Sequence, residues 1–164
     1  MEIRISKATE DDIPAILAML REFAEFLDLE QFLEVTGERL FEAMFAPGAF
    51  VDGLTAFDGE KAVAYAIFFP WFASFRGQRG LFLEDIYIKP EYRRHNLGER
   101  MLREIARTAR ERGFERIDFH VLEDNSSAIA FYEKHGAVRD DEERHFKFTG
   151  EAFDRLATNM EVRT

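Results

Sequence analysis

The chain has no cysteine. That excludes disulfides, a thiolate nucleophile and a cysteine-held metal centre. It also fits a reducing compartment, so the expected location is cytoplasmic, and no metal is expected. The opening stretch MEIRISKATEDD lacks the apolar region of a secretory signal. The longest apolar run, Ala62 to Ala73, is broken by Pro70 and falls short of the roughly 20 residues that span a bilayer, so no membrane is expected as a partner. Basic charge is scarce: 22 Lys and Arg stand against 32 Asp and Glu, a net −10 with neutral His. Nucleic acid wants a basic surface, so it is not expected as a partner. An acidic field suits a cationic substrate, although acidic surfaces also serve solubility alone. Internal repeats, low-complexity tracts and long linkers are missing as well, which points to one domain over residues 1–164.

What is present is a core-forming composition. Hydrophobic residues make up 46% of 164, and eighteen are Phe. Met1 to Lys7 alternates as a strand. Thr9 with Glu10, Asp11 and Asp12 opens a helix whose stripe holds Ile13, Ile16, Leu17, Leu20, Phe23, Ala24 and Leu27. A second helix is expected over about Thr36–Phe45. Two strands, Phe50–Phe57 and Lys61–Phe69, flank an Asp58-Gly59 turn. An aromatic loop from Trp71 to Gly80 leads to a strand at Leu81–Ile88. A helix over Leu97–Arg112 follows, then a strand at Arg116–Leu122 and a helix at Ser126–His135 capped by Asn125 and Gly136. A last strand at Arg144–Phe148 and a short helix at Glu151–Leu156 close the list. The order β-α-α-β-β-β-α-β-α-β predicts an α/β fold with a mixed sheet.

The densest signal is LFLEDIYIKPEYRRHNLG, Leu81 to Gly98. A strand runs through Pro90 into a basic turn that opens a helix, where free N–H groups and the helix dipole suit a phosphate. Only Gly98 is glycine there, and Asn96 is the residue best able to take a left-handed conformation. Neither a Walker loop nor a dinucleotide fingerprint is present. Alone, the stretch also reads as an ordinary solvated loop.

Together with NSSAIAFYEKHGA, Asn125 to Ala137, the chain resembles the GNAT superfamily of acetyl-CoA-dependent N-acetyltransferases. Within it, the chain is most similar to the spermidine/spermine (diamine) and thialysine group. LFLED, VLEDN, AIAFYEKHGA, FKFTGEAFDRLA and the early REFAEF carry that likeness. The resemblance implies a splayed mixed sheet with acetyl-CoA in the gap between the strands at Leu81–Ile88 and Arg116–Leu122. Backbone of Ile86, Tyr87 and Ile88 would pair with the pantetheine arm. Arg93, Arg94, His95, Asn96, Leu97, Gly98 and Glu99 would hold the pyrophosphate, and Asn125, Ala128 and Tyr132 would lie along the cofactor. On the acceptor side it implies Phe26, Leu27, Glu84, Asp118, Phe119 and His120, beside the aromatic loop. It also implies a homodimer.

Two departures stand out. The group's turn usually reads Arg-Gly-x-Gly-x-Gly, and here Arg94 and Asn96 replace two glycines. A Trp before the Asn, and a Glu-Trp pair near the last strand, are replaced by Asp124 and by Glu143-Arg144. The acceptor is therefore expected to depart from polyamines or thialysine.

Acetyl transfer to a primary amine requires loss of a proton from a group with a pKa near 10. The group's LED motif points to Glu84 as the base, with Asp85 beside it. Successive strand residues face opposite ways, so only one of the two faces the substrate unless a bulge intervenes. Tyr132 is the candidate acid for the departing thiolate, and an N–H near Ile86 would hold the carbonyl oxygen. The function implied is direct acetyl transfer to a small cationic amine. Two alternatives stay open: a CoA-binding or interaction module with little activity, and an acetyltransferase for protein N-termini or lysines.

Overall fold

The computed structural model describes residues 2–158. Ten regular elements follow in chain order: β1 Ile3–Lys7, α1 Ile13–Phe26, α2 Gly37–Met44, β2 Asp52–Asp58, β3 Lys61–Ala73, β4 Gln78–Ile88, α3 Leu97–Glu111, β5 Arg116–Phe119, α4 Ser126–Lys134 and α5 Gly150–Ala157. A single-turn 3-10 helix, Pro90–Tyr92, stands between β4 and α3. The chain divides into two compact units, Met1–His120 and Val121–Thr164.

The first unit holds a five-stranded mixed sheet of order β1-β2-β3-β4-β5. β1 to β4 pair antiparallel, and β5 pairs parallel to β4. The alternating apolar pattern buries both sheet faces. On one face Leu81, Leu83, Phe68 and Ala66 meet Leu97, Met101, Ile105 and Ala109 of α3. On the other Tyr65, Ile67 and Tyr87 meet Ile16 and Met19 of α1 and Leu40 and Met44 of α2. The apolar stripe that the sequence predicts for α3, Leu97, Met101, Leu102, Ile105, Ala106 and Ala109, is buried at four of its six positions, while Leu102 is half-buried and Ala106 faces solvent.

Gly80 sets where β5 joins. A Cβ there would come within 2.4 Å of the Arg116 carbonyl oxygen, so only glycine lets the parallel pair start at Gly80↔Arg116.

Three expectations are corrected. The aromatic loop is mostly sheet: β3 continues through Pro70 to Ala73 and β4 begins at Gln78, leaving a tip at 74–77. Proline is tolerated because β2 begins at Asp52 opposite Phe68, so beyond that point β3 has a free side where no N–H is needed. β5 stops at Phe119, three residues short of Leu122. Residues 144–148 form no strand, no strand of the sheet lies beside them, and Phe146 and Phe148 are exposed. The observed order therefore ends β-α-α.

In the second unit, α4 ends on Gly136 at φ +90°, with Ala137 N–H bonding the Tyr132 carbonyl at 3.0 Å. No residue of α4 or α5 is fully buried.

Candidate active site

The sheet bulges at the acid pair. β3 and β4 pair as Phe68↔Leu83 and then as Ile67↔Asp85, leaving Glu84 as the extra residue. Side-chain parity shows it. Leu81 and Leu83 face the α3 core, and past Glu84 the same face is taken by Ile86 and Ile88. Glu84 is exposed and Asp85 half-buried. Burial first, and the negative charge of Glu84 second, push the Asp85 carboxyl up to about 6, against a smaller lowering from Tyr65. The Tyr65 hydroxyl is buried without a hydrogen-bond partner. Its own pKa is raised, by burial first and then by the Asp85 charge.

Just past the bulge, β5 leaves the sheet. The last β4–β5 pair is Leu83↔Phe119, so β4 runs on from Glu84 to Ile88 with an open edge. The Lys89 N–H bonds the Val63 carbonyl at 2.9 Å, which makes Ile88↔Ala64 a pair whose own N–H and C=O point away from β3. Alternation turns Ile86 the same way and turns Tyr87 toward β3. The open edge therefore offers the N–H and C=O of Ile86 and the N–H of Ile88, whose carbonyl accepts from Arg93 Nε. Those of Tyr87 point toward β3, so of the three residues expected at the cofactor Ile86 and Ile88 are the ones with backbone groups on the open edge.

The turn after β4 is built by anchors at each end. Tyr92 is buried and its hydroxyl donates to Asp58 Oδ2 at 2.8 Å, and Leu97 is fully buried. Between them Asn96 is left-handed, φ +53° and ψ +18°, as the sequence predicts for the residue standing where the group has glycine. The Asn96 carbonyl accepts the Arg100 N–H at 3.0 Å, so α3 begins there with the N–H groups of its first turn free of helical partners. Arg94, His95 and Asn96 are exposed, while Gly98 is buried.

Arg93 behaves differently from its neighbours. Its Nε donates to the Ile88 carbonyl at 3.0 Å, and its guanidinium lies over the rings of Phe26 (4.6 Å) and Tyr87 (5.7 Å). Nearby, Glu22 of α1 takes Lys89 Nζ at 2.6 Å and the Tyr87 hydroxyl at 3.1 Å. Burial and the Glu22 carboxylate push Tyr87 up to about 12. The end of α1 is thus tied to the end of β4.

Of the acceptor-side residues, Asp118 is held by Arg116 through two contacts, 2.6 and 2.8 Å. Phe119 packs on the α3 core. His120 is exposed, edge-on to Phe82 at 5.1 Å, and Phe82 stacks on Phe69 at 5.3 Å and meets Trp71 at 5.7 Å. Leu27 ends α1, half-buried. In the second unit Asn125 Oδ1 accepts the Ala128 N–H at 3.3 Å, the helix cap read from the sequence, and Tyr132 lies half-buried against Phe131 at 5.3 Å.

Sequence reasoning left three participants unnamed: Tyr65, Glu22 and Lys89. Tyr65 sits in an apolar run and reads as core, and the Glu22–Lys89 pair is 67 residues apart. Among the described residues no group of three or more His, Cys, Asp or Glu could hold a metal ion, and no helix is long and apolar enough to cross a membrane.

The acetyltransferase (GNAT) family profile matches residues 13–137. The thialysine N-epsilon-acetyltransferase of Sus scrofa is 32% identical over 166 residues, spanning 94% of this chain and 97% of that protein. The L-ornithine N5-acetyltransferase NATA1 of Arabidopsis thaliana is 35% identical over 92 residues, 56% of this chain and 40% of that one. Among solved structures, an integron cassette protein from the mobile metagenome of V. cholerae superposes with TM-score 0.79 at 17% identity, covering 96% of this chain and 99% of the other.

Proposed function

The chain belongs to the acetyltransferase (GNAT) family and is an N-acetyltransferase acting on amines, and we propose that it moves an acetyl group from acetyl-CoA to the primary amine of a small cationic acceptor. The observation that carries this reading is the open β4 edge at Ile86 and Ile88, bounded by the Glu84–Asp85 bulge at one end and the Asn96 turn at the other. Such an edge accepts an amide-bearing arm as an added strand. The left-handed Asn96 and the free N–H groups of the first α3 turn, with Arg94 and His95, suit a pyrophosphate. Acetyl-CoA, when bound, supplies an acyl group activated as a thioester.

The residues divide the remaining work. Exposed Glu84 meets the acceptor ammonium. Asp85 is ionised at neutral pH yet more basic than an ordinary carboxylate, and it takes the ammonium proton, which a base with a pKa closer to the working pH does best. The Ile86 N–H, on the open edge, would donate to the acetyl carbonyl oxygen. Tyr132, named from its place in FYEKHGA, would supply the phenolic proton that a departing thiolate needs. No covalent enzyme intermediate is required.

The relatives named for thialysine and ornithine support a small amino-acid-like or diamine acceptor, and the aromatic wall of Phe69, Trp71 and Phe82 is the surface its apolar part would meet. Val138, Phe146, Phe148, Phe153 and Leu156 are exposed; a second copy of the chain would cover them, which is the homodimer the group implies.

Release of CoA from acetyl-CoA, measured over thialysine, ornithine, diamines and polyamines, tests the reading. Turnover with at least one amine is expected. Calorimetric binding of acetyl-CoA without turnover on any of them would favour the binding module instead.

A further inference from the structure

We propose that Tyr65 is a positioning residue whose hydroxyl turns to the Asp85 carboxylate as it ionises and holds it for proton transfer. The proposal rests on the reading of Asp85 as the proton acceptor above. Three geometric facts carry it. Tyr65 is 0% exposed, and its hydroxyl has no hydrogen-bond partner. A buried O–H without a partner costs about 1–3 kcal/mol, so a fold keeps one only where something else offsets it. Next, Tyr65 stands opposite Tyr87 while Ile67, two residues on along the same face, stands opposite Asp85. Tyr65 and Asp85 are therefore diagonal cross-strand neighbours on one sheet face, within reach of a long side chain. Finally, the bulge at Glu84 is what brings Asp85 to that face. Without it, Asp85 would share the α3 face with Leu81 and Leu83.

The groups acting on Asp85 are few. Glu84 on its own strand opposes its ionisation, and Tyr65 from β3 favours it. The next charged cluster on that face is Glu22 of α1 with Lys89 and Tyr87, and there Glu22 is already engaged by both. That leaves the Tyr65 O–H as the donor for the buried side of the carboxylate. A proton leaving the acceptor ammonium neutralises Asp85, and the carboxyl must lose it again to solvent before the next turnover. A donor that favours the charged form resets the base.

Tyr65→Phe removes the donor and keeps the ring. The direct readout is a 13C NMR titration of the Asp85 carboxyl in the free full-length protein, wild type against Tyr65→Phe. An upward movement of about one pH unit is expected, the size of one hydrogen bond to a charged group. The acid limb of kcat/KM with the amine that the protein turns over best should move the same way. An unmoved titration in a folded variant overturns the proposal, as does a loss of activity at every pH with a lowered Tm, which marks Tyr65 as structural only. Asp85→Asn separates the two levels. If it keeps the wild-type acid limb, the reading of Asp85 as base has failed and the proposal falls with it. If it loses the limb while Tyr65→Phe leaves it in place, only Tyr65 is excluded.

Discussion

The guanidinium of Arg93 lies 4.6 Å above the ring of Phe26, while its Nε caps the Ile88 carbonyl. One side chain thus joins the turn after β4 to the end of α1, two places where the family resemblance implies cofactor and acceptor respectively. The contact needs a flat cation: a guanidinium stacks and donates sideways at once, whereas an ammonium cannot.

Arg93→Lys should therefore behave like Arg93→Ala. Loss of the stack and the hydrogen bond costs about 1–2 kcal/mol, a fall in Tm of roughly 2–8 °C for a chain of this size. Thermal scans of the two variants check it, and a lysine variant as stable as wild type would sink the account.

Asn96 holds φ at +53°, where a branched side chain is strained by about 1–2 kcal/mol. Asn96→Gly should leave stability within a few tenths of a kcal/mol and keep or tighten acetyl-CoA binding. Asn96→Val should weaken it by tenfold or more. Calorimetry with acetyl-CoA reads both, and equal affinity in the valine variant would remove the turn from the binding site.

Asp85 links stability to pH. Its folded pKa of about 6 stands above the ordinary 3.8, so the folded state binds this proton more tightly. The stabilisation is complete below pH 4 and is lost as pH rises through 6. Discounted for a half-buried site, the loss is on the order of 1–2 kcal/mol. Asp85→Asn should raise Tm at pH 8 more than at pH 4, while lowering kcat. Glu84→Gln should act mainly on the KM of the amine. Identical Tm differences at the two pH values would contradict the assignment.

Tyr132→Phe should cut kcat by about 10²-fold while the Kd for acetyl-CoA stays within threefold. Stopped turnover assays beside calorimetry distinguish this from a binding defect, and unchanged kcat would take the acid role from Tyr132.

Legibility followed the range of the interaction. The Asn125 cap, the Gly136 stop, the α3 stripe and the left-handed Asn96 were readable because each depends on residues within a turn or two. The extension of β3 through Pro70 was not, since proline reads as a break until the start of β2 is known. Nor was the absence of a strand at 144–148, whose alternation is real but which no neighbouring strand meets.

By itself, then, the sequence determined the element order through α4, because periodicity and caps are properties of adjacent residues, and its family resemblance implied the split sheet and the acid pair at Glu84-Asp85. The tertiary structure decided the rest. Register between β3 and β4 placed the bulge, turned Asp85 beside Tyr65 and raised its pKa, and it chose Ile86 and Ile88 over Tyr87 for the open edge. Those outcomes depend on which backbone groups and which buried surfaces meet across the sheet, and a one-residue shift in pairing reverses them.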